Sequence, residues 1–135
     1  MLSTASTNEV AVAGVTSGLI SLGESVTWRA THLGVRQHLT ATITMYNRPQ
    51  HFRDEMVKGA FKSFKHDHYF QRKGDQTEMR DVFDFEAPLG LLGHLANFLF
   101  LKRYMHKFLT IRNETIKTIA ESGRYNEYIA EATHV

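Results

Sequence analysis

Cysteine is missing from this chain of 135 residues, which excludes a disulfide framework and any metal site built on thiolates. Its absence suits a reducing compartment, and the chain is expected in the cytoplasm. Charge of one sign is missing too. The 16 Lys and Arg stand against 14 Asp and Glu, for a formal net charge of +2, and the two signs are interleaved. No nucleic acid is therefore expected as a partner. No window approaches the ~18 consecutive apolar residues of a membrane-spanning helix, so no membrane insertion is expected. The opening segment MLSTASTNEVAVAGV has neither the basic region nor the apolar run of a secretory signal. The patterns that announce common chemistries, GxxxxGK[ST], GxGxxG opening a helix, HExxH, GxSxG and CxxC, are also absent. What remains is ordinary globular composition, 42% hydrophobic and 22% charged, at a length that suits a single domain over residues 1–135.

What is present is alternation. Residues 9–15 can form a short strand. Residues 24–32 place Val26, Trp28, Ala30 and His32 on one face. Residues 35–46 place Leu39, Ala41, Ile43 and Met45 on one face and Thr40, Thr42 and Thr44 on the other, as expected of a strand with one side toward water. Residues 51–58 bring Phe52, Asp54 and Met56 together, and residues 61–71 do the same for Phe64, His66, His68 and Phe70. Residues 77–85 align Met79, Asp81, Phe83 and Phe85. The connections are short: a glycine-containing segment at 14–24, Leu33-Gly34, a turn at 47–50, an interruption at Gly59-Ala60, and a hairpin at 72–75. Short connections imply antiparallel pairing.

Pro88 ends the strand region. From about residue 91 to 122 the period changes to that of a helix, with Leu91, Leu95, Phe98, Leu99, Met105, Phe108, Leu109, Ile116 and Ile119 recurring along one stripe. Lys102, Arg103, Lys107, Arg112 and Lys117 fall on its flanks. The expected fold class is α+β, a curved antiparallel sheet of about six strands gripping one long C-terminal helix. A single helix laid across such a sheet leaves a hollow between the layers.

Three stretches, GVTSGLISLGESVTWRATHLGV, RPQHFRDEMVKGAFKSFKHDHYF and MRDVFDFEAPLGLLG with the helix that follows, resemble bacterial members of the START/SRPBCC superfamily. More narrowly, they look like its polyketide cyclase/cell-division-inhibitor-like group. The resemblance spans roughly residues 9–122. It implies a helix-grip fold with an apolar cavity. It also implies an extra strand and two short helices ahead of the segment matching residues 9–15, where this sequence has only Met1–Asn8. The expectation is then either a truncated start or a second copy of the chain, a homodimer joined through exposed sheet edges.

The inward faces carry four ionisable groups that an apolar interior does not readily accept: Asp54, His66, His68 and Asp81. A set of Asp54, His66 and Asp81 can anchor the polar end of a ligand, or the groups can satisfy one another as a network. Trp28, Phe52, Met56, Phe64, Met79, Phe83, Phe98 and Met105 complete the candidate ligand-binding surface. His66-Asp67-His68 places two imidazoles on one face of a strand with a carboxylate from Asp54 or Asp81 in reach. As a pattern alone this is too loose to carry a metal, and neither metal nor cofactor is expected. In the glycine segment, Thr16, Ser17, Leu19 and Ile20 are candidates for a gate at the cavity mouth. The leading expectation is binding of a small hydrophobic molecule, a lipid, isoprenoid, quinone or polyketide. The alternatives are a cyclase or dehydratase working through an Asp/His pair and a protein-interaction module.

Overall fold

The structure is a computed structural model that describes residues 8–32, 34–87 and 95–127, with only the backbone at 95–98. Six strands, β1 (Val10–Gly14), β2 (Ser25–His32), β3 (Val35–Asn47), β4 (His51–Lys58), β5 (Ser63–Lys73) and β6 (Gln76–Glu86), precede one helix, α1 (Leu95–Glu121). The strands pair antiparallel in sequence order, giving a curved six-stranded meander. This is the expected α+β architecture. The expected helix start near Leu91, the stop at Pro88 and the tail beyond residue 127 lie outside the described residues, as do Met1–Thr7.

Alternation decides the faces. Val26, Ala30, Ala41, Ile43 and Phe64 are buried on the side that α1 covers, and Ile119 is buried on the helix. The opposite face is held by hydroxyl pairs between strands, Ser25 with Thr42 at 2.5 Å and Thr27 with Thr40 at 2.8 Å. These pairs explain why threonines fill that side of β3: β-branching suits the strand while the hydroxyls satisfy each other or water.

The pairing skips a residue at Val12, at Val57 and at Thr44. Each skip is a bulge that bends the strand and raises its twist. The skip at Thr44 corrects one expectation. Beyond it Met45 pairs with Arg53 and Tyr46 with Phe52, so Met45 leaves the face it was expected to share with Ile43 and is 47% exposed. The skip at Val57 closes before β5 begins, and His66 and His68 remain inside.

On α1, Met105, Phe108, Leu109, Ile116 and Ile119 turn inward, as the helical period predicts. Leu99 does not, being 51% exposed. Arg112, expected on a solvated flank, lines the space between helix and sheet instead. His32 at the end of β2 ties the two layers together: its Nδ1 hydrogen-bonds the Tyr104 hydroxyl at 2.6 Å, and its ring meets Phe108 edge-on at 5.5 Å.

The turn from β1 toward β2 needs glycine. Gly14 has φ +73°, and a Cβ there would sit 2.2 Å from the Ser25 carbonyl oxygen. Gly74, in the β5–β6 hairpin, has φ +66° but open space around it. Gly74→Ala is expected to cost about 1 kcal/mol, the strain of a left-handed alanine. Gly14→Ala is expected to cost at least about twice that, because backbone atoms of Ser25 must also move. Urea denaturation of the two variants measures the difference, seen as a larger drop in midpoint for Gly14→Ala at an unchanged slope.

Candidate functional site

Two adjoining hollows lie between the sheet and α1, with volumes of about 290 and 210 Å³. Six residues border both: Glu9, Trp28, Leu39, Phe61, Met105 and Phe108. The larger hollow continues along β2 and the start of β3 past Ala30, His32, Val35, Gln37 and His38, and is roofed by Leu101 and Tyr104. The smaller one runs over β3 to β6 past Val26, Ala41, Ile43, Phe52, Phe64 and Phe83, and ends on Asp54, His66 and His68. Among the described residues no side chain is buried to the last 2% of its surface, so the layers meet around a space rather than a filled core.

The polar end is built by strand register. Asp54 lies opposite His66 and His66 opposite Phe83, while Phe52 lies opposite His68 and His68 opposite Asp81. Two neighbouring rows therefore each hold one carboxylate, one imidazole and one phenylalanine, with the carboxylates on opposite sides of β5. His68 is the hub. Its Nε2 bonds Asp54 Oδ1 at 2.9 Å and its Nδ1 bonds Asp81 Oδ1 at 3.0 Å, and Phe52 stacks on its ring at 4.1 Å.

His66 differs. It is only 3% exposed, and its Nε2 is buried without a hydrogen-bond partner. The Nδ1 stands 3.8 Å from Asp54 Oδ1, and the Nε2 stands 3.6 Å from Asp81 Oδ2. Asp54, His66 and His68 each bring one metal-competent atom within 4.8 Å of the other two.

These surroundings set the charges. For His68, burial opposes the charged form, but hydrogen bonds to Asp54 and Asp81 outweigh it and raise the pKa above the ordinary 6.5. An imidazole with two acceptors is held doubly protonated. For His66 burial wins, helped by the neighbouring His68 cation, and the pKa falls below 6.5 despite the two carboxylates. Asp81 is resisted by burial but stabilised as an anion by the two imidazoles, and it lies far below the usual carboxylate range.

Most of the residues expected at the site come together here. Trp28, Phe52, Asp54, Phe64, His66, Phe83 and Met105 border the hollows, and Asp81 stands directly behind the imidazoles. Met56 and Met79 share the inward face but border neither hollow. The Phe98 side chain lies outside the described residues. Of the candidate gate residues, Ile20 reaches the smaller hollow, whereas Leu19 is 68% exposed.

Sequence reasoning places His68 on the right face without recognising it as the hub, and it overlooks Phe61 and Tyr104. It also does not find the set on the opposite face. There buried Asp67 takes two hydrogen bonds from Arg53, at 2.8 and 2.9 Å, and one from His51 at 2.6 Å. Only the β4–β5 register, which sets Arg53 against Asp67, reveals that set.

No protein-family model and no curated protein sequence matches the chain. Among solved structures it is similar to the crystal structure of ginseng major latex-like protein 151 from Panax ginseng, at 16% identity and a TM-score of 0.56. That match covers 82% of this chain and 70% of that one. It is also similar to the crystal structure of TTHA0849 from Thermus thermophilus, at 14% identity and a TM-score of 0.54, covering 82% and 68%. At these identities the likeness is one of fold. The chain has a helix-grip fold, a curved six-stranded antiparallel sheet with one long helix, as the sequence resemblance implied.

The two histidines respond to pH with opposite sign. The depressed pKa of His66 favours the native state above 6.5, and that contribution is lost as pH falls toward its folded value. The raised pKa of His68 stabilises the native state below 6.5, and that contribution is lost as pH rises through its folded value. Together they place a maximum of stability near their ordinary value. In chelator-treated protein, imidazole NMR titration is expected to show a His68 midpoint above 6.5 and a His66 midpoint below it. Coincident midpoints would contradict this charge assignment.

Proposed function

We propose that the protein binds a small, largely apolar molecule in the space between sheet and helix, without turning it over, as a single cytoplasmic domain. The observation that carries this is the pair of joined hollows, lined mainly by apolar side chains and ending on the Asp54, His66 and His68 cluster. Each hollow is near or below the lower bound of about 300 Å³ typical of ligand pockets. A compact or flat molecule, such as a quinone or an aromatic polyketide, therefore suits the space better than a long-chain lipid. Its ring system would run between Trp28, Leu39, Phe61, Met105 and Phe108. A hydroxyl at one end would donate to Asp54, at the mouth of the imidazole cluster. Each buried CH₂ equivalent contributes about 0.8 kcal/mol, enough for useful affinity from a small cavity. The proposal extends to self-association, since β1 and β6 are the two end strands of an open sheet and end strands readily take a partner.

No helix among the described residues is long and apolar enough to cross a membrane.

Trp28 is the sole tryptophan of the chain and borders both hollows, so its emission reports occupancy. Titration with a naphthoquinone is expected to quench Trp28 saturably. Ala30→Phe, which fills the larger hollow, is expected to weaken binding at least about tenfold, equivalent to ~1.4 kcal/mol, with the fold retained by circular dichroism. Equal quenching in a folded Ala30→Phe variant would place the ligand elsewhere.

A further inference from the structure

We propose that Asp54, His66 and His68 form a binding site for one divalent transition ion of the zinc type, with Asp81 behind it as the residue that orients both imidazoles. Two imidazoles and a carboxylate are a common donor set for such ions, and three protein ligands leave one position open. The inference goes beyond the cavity-binding proposal and does not need it.

The spacing of His66 carries the argument. Its two nitrogens stand 3.8 and 3.6 Å from carboxylate oxygens of Asp54 and Asp81, too long for hydrogen bonds of about 2.7–3.2 Å. Two ligand atoms about 2.0–2.1 Å from one tetrahedral ion lie roughly 3.3–3.4 Å apart. The Nδ1–Asp54 separation is thus close to the edge of a coordination sphere and far from a direct bond. The His68 Nε2–Asp54 contact of 2.9 Å has to open by only about half an ångström, with the ion taking the place of the proton between them.

His66 is also the orphan of the site. Leaving a buried imidazole nitrogen without a partner is costly, and its Nε2 has none among the described residues. Coordination through Nδ1 fixes the tautomer and makes Nε2 an N–H facing Asp81 Oδ2 at 3.6 Å, a gap that has to close by about half an ångström for the bond to form. The other oxygen of Asp81 already holds His68 Nδ1 at 3.0 Å. One carboxylate then orients both metal-binding imidazoles, the arrangement that metal-bound histidines regularly adopt. The donors come from the centres of β4 and β5, two strands that are each paired on both sides. The same three residues border the smaller hollow, from which a fourth ligand could reach the ion.

The set on the opposite face lacks this character. There Arg53 donates to both oxygens of Asp67 and His51 is bonded to one of them, and none of the three has a buried side-chain atom without a partner.

The test uses the full chain stripped with EDTA, with no apolar ligand present, so its failure leaves the cavity-binding proposal standing. Titration with Co²⁺ is expected to give visible d–d absorption saturating at one equivalent and displaced by Zn²⁺. In the wild-type chain, Zn²⁺ is expected to move the ring ¹⁵N resonances of His66 and His68 and to leave those of His38 and His106 in place. Asp54→Asn and His66→Gln are expected to lose at least about tenfold in Co²⁺ affinity. Asp81→Asn is expected to lose roughly ten- to a hundredfold through the imidazoles it orients, and His106→Ala to bind as wild type. Absence of a saturable spectrum overturns the proposal. So does a Zn²⁺ response at other histidines only, or wild-type affinity in folded Asp54→Asn and His66→Gln. The wild-type resonances decide the matter even where a variant fails to fold.

Discussion

The structure depends on one constraint: among the described residues a single helix must cover the apolar face of six strands. Twist and three bulges bend the sheet so that it reaches around α1. The sheet is still wider than the helix stripe that faces it. Contact is close at Ile119 and at the His32–Tyr104 hydrogen bond, and between such points the layers stand apart. Large side chains, Trp28, Phe61 and Phe108 among them, line this gap without closing it. A core left open in this way gives up packing energy that a filled one would supply. A molecule that completed it would recover part of that loss.

The polar end of the gap is the second departure from a plain core. Burying two carboxylates and two imidazoles is expensive, and well-packed apolar residues in their place commonly stabilise a protein as much or more. His68 offsets part of the cost by acting as a cation between Asp54 and Asp81. His66 offsets less of it, since it is buried, holds its proton less readily than a free imidazole, and keeps its Nε2 3.6 Å from Asp81 without a hydrogen bond. The arrangement thus leaves one member unsatisfied beside a hollow. Asp67 on the other face makes the contrast: fully hydrogen-bonded by Arg53 and His51, it is a finished structural element.

Local rules make much of this legible. Period-2 alternation in β3 through β6 and period-3.6 recurrence in α1 are written residue by residue, because each side chain's direction follows from its place in a strand or helix. Thus Phe52 with Asp54, His66 with His68, and Asp81 with Phe83 are assigned to one face by alternation alone. The errors fall where a local rule is interrupted. Nothing in ITMYNR announces that Thr44 will be skipped, and that skip sends Met45 outward and turns Tyr46 toward Phe52. Leu99 and Arg112 depart from expectation because the helix period names a stripe but not how wide a strip the sheet will cover.

The sequence by itself determined the order of the elements, their antiparallel pairing through short turns and the face on which each inward residue lies, since these follow from chain direction, steric preference and hydrophobic period. Tertiary structure alone decided which members of that face meet. The registers β4 to β5 and β5 to β6 put His68 between two carboxylates and left His66 roughly half an ångström beyond hydrogen-bond reach of both. Separations of that size are set by bulges, twist and the standing distance of a helix, sums over many residues that no single stretch of sequence encodes.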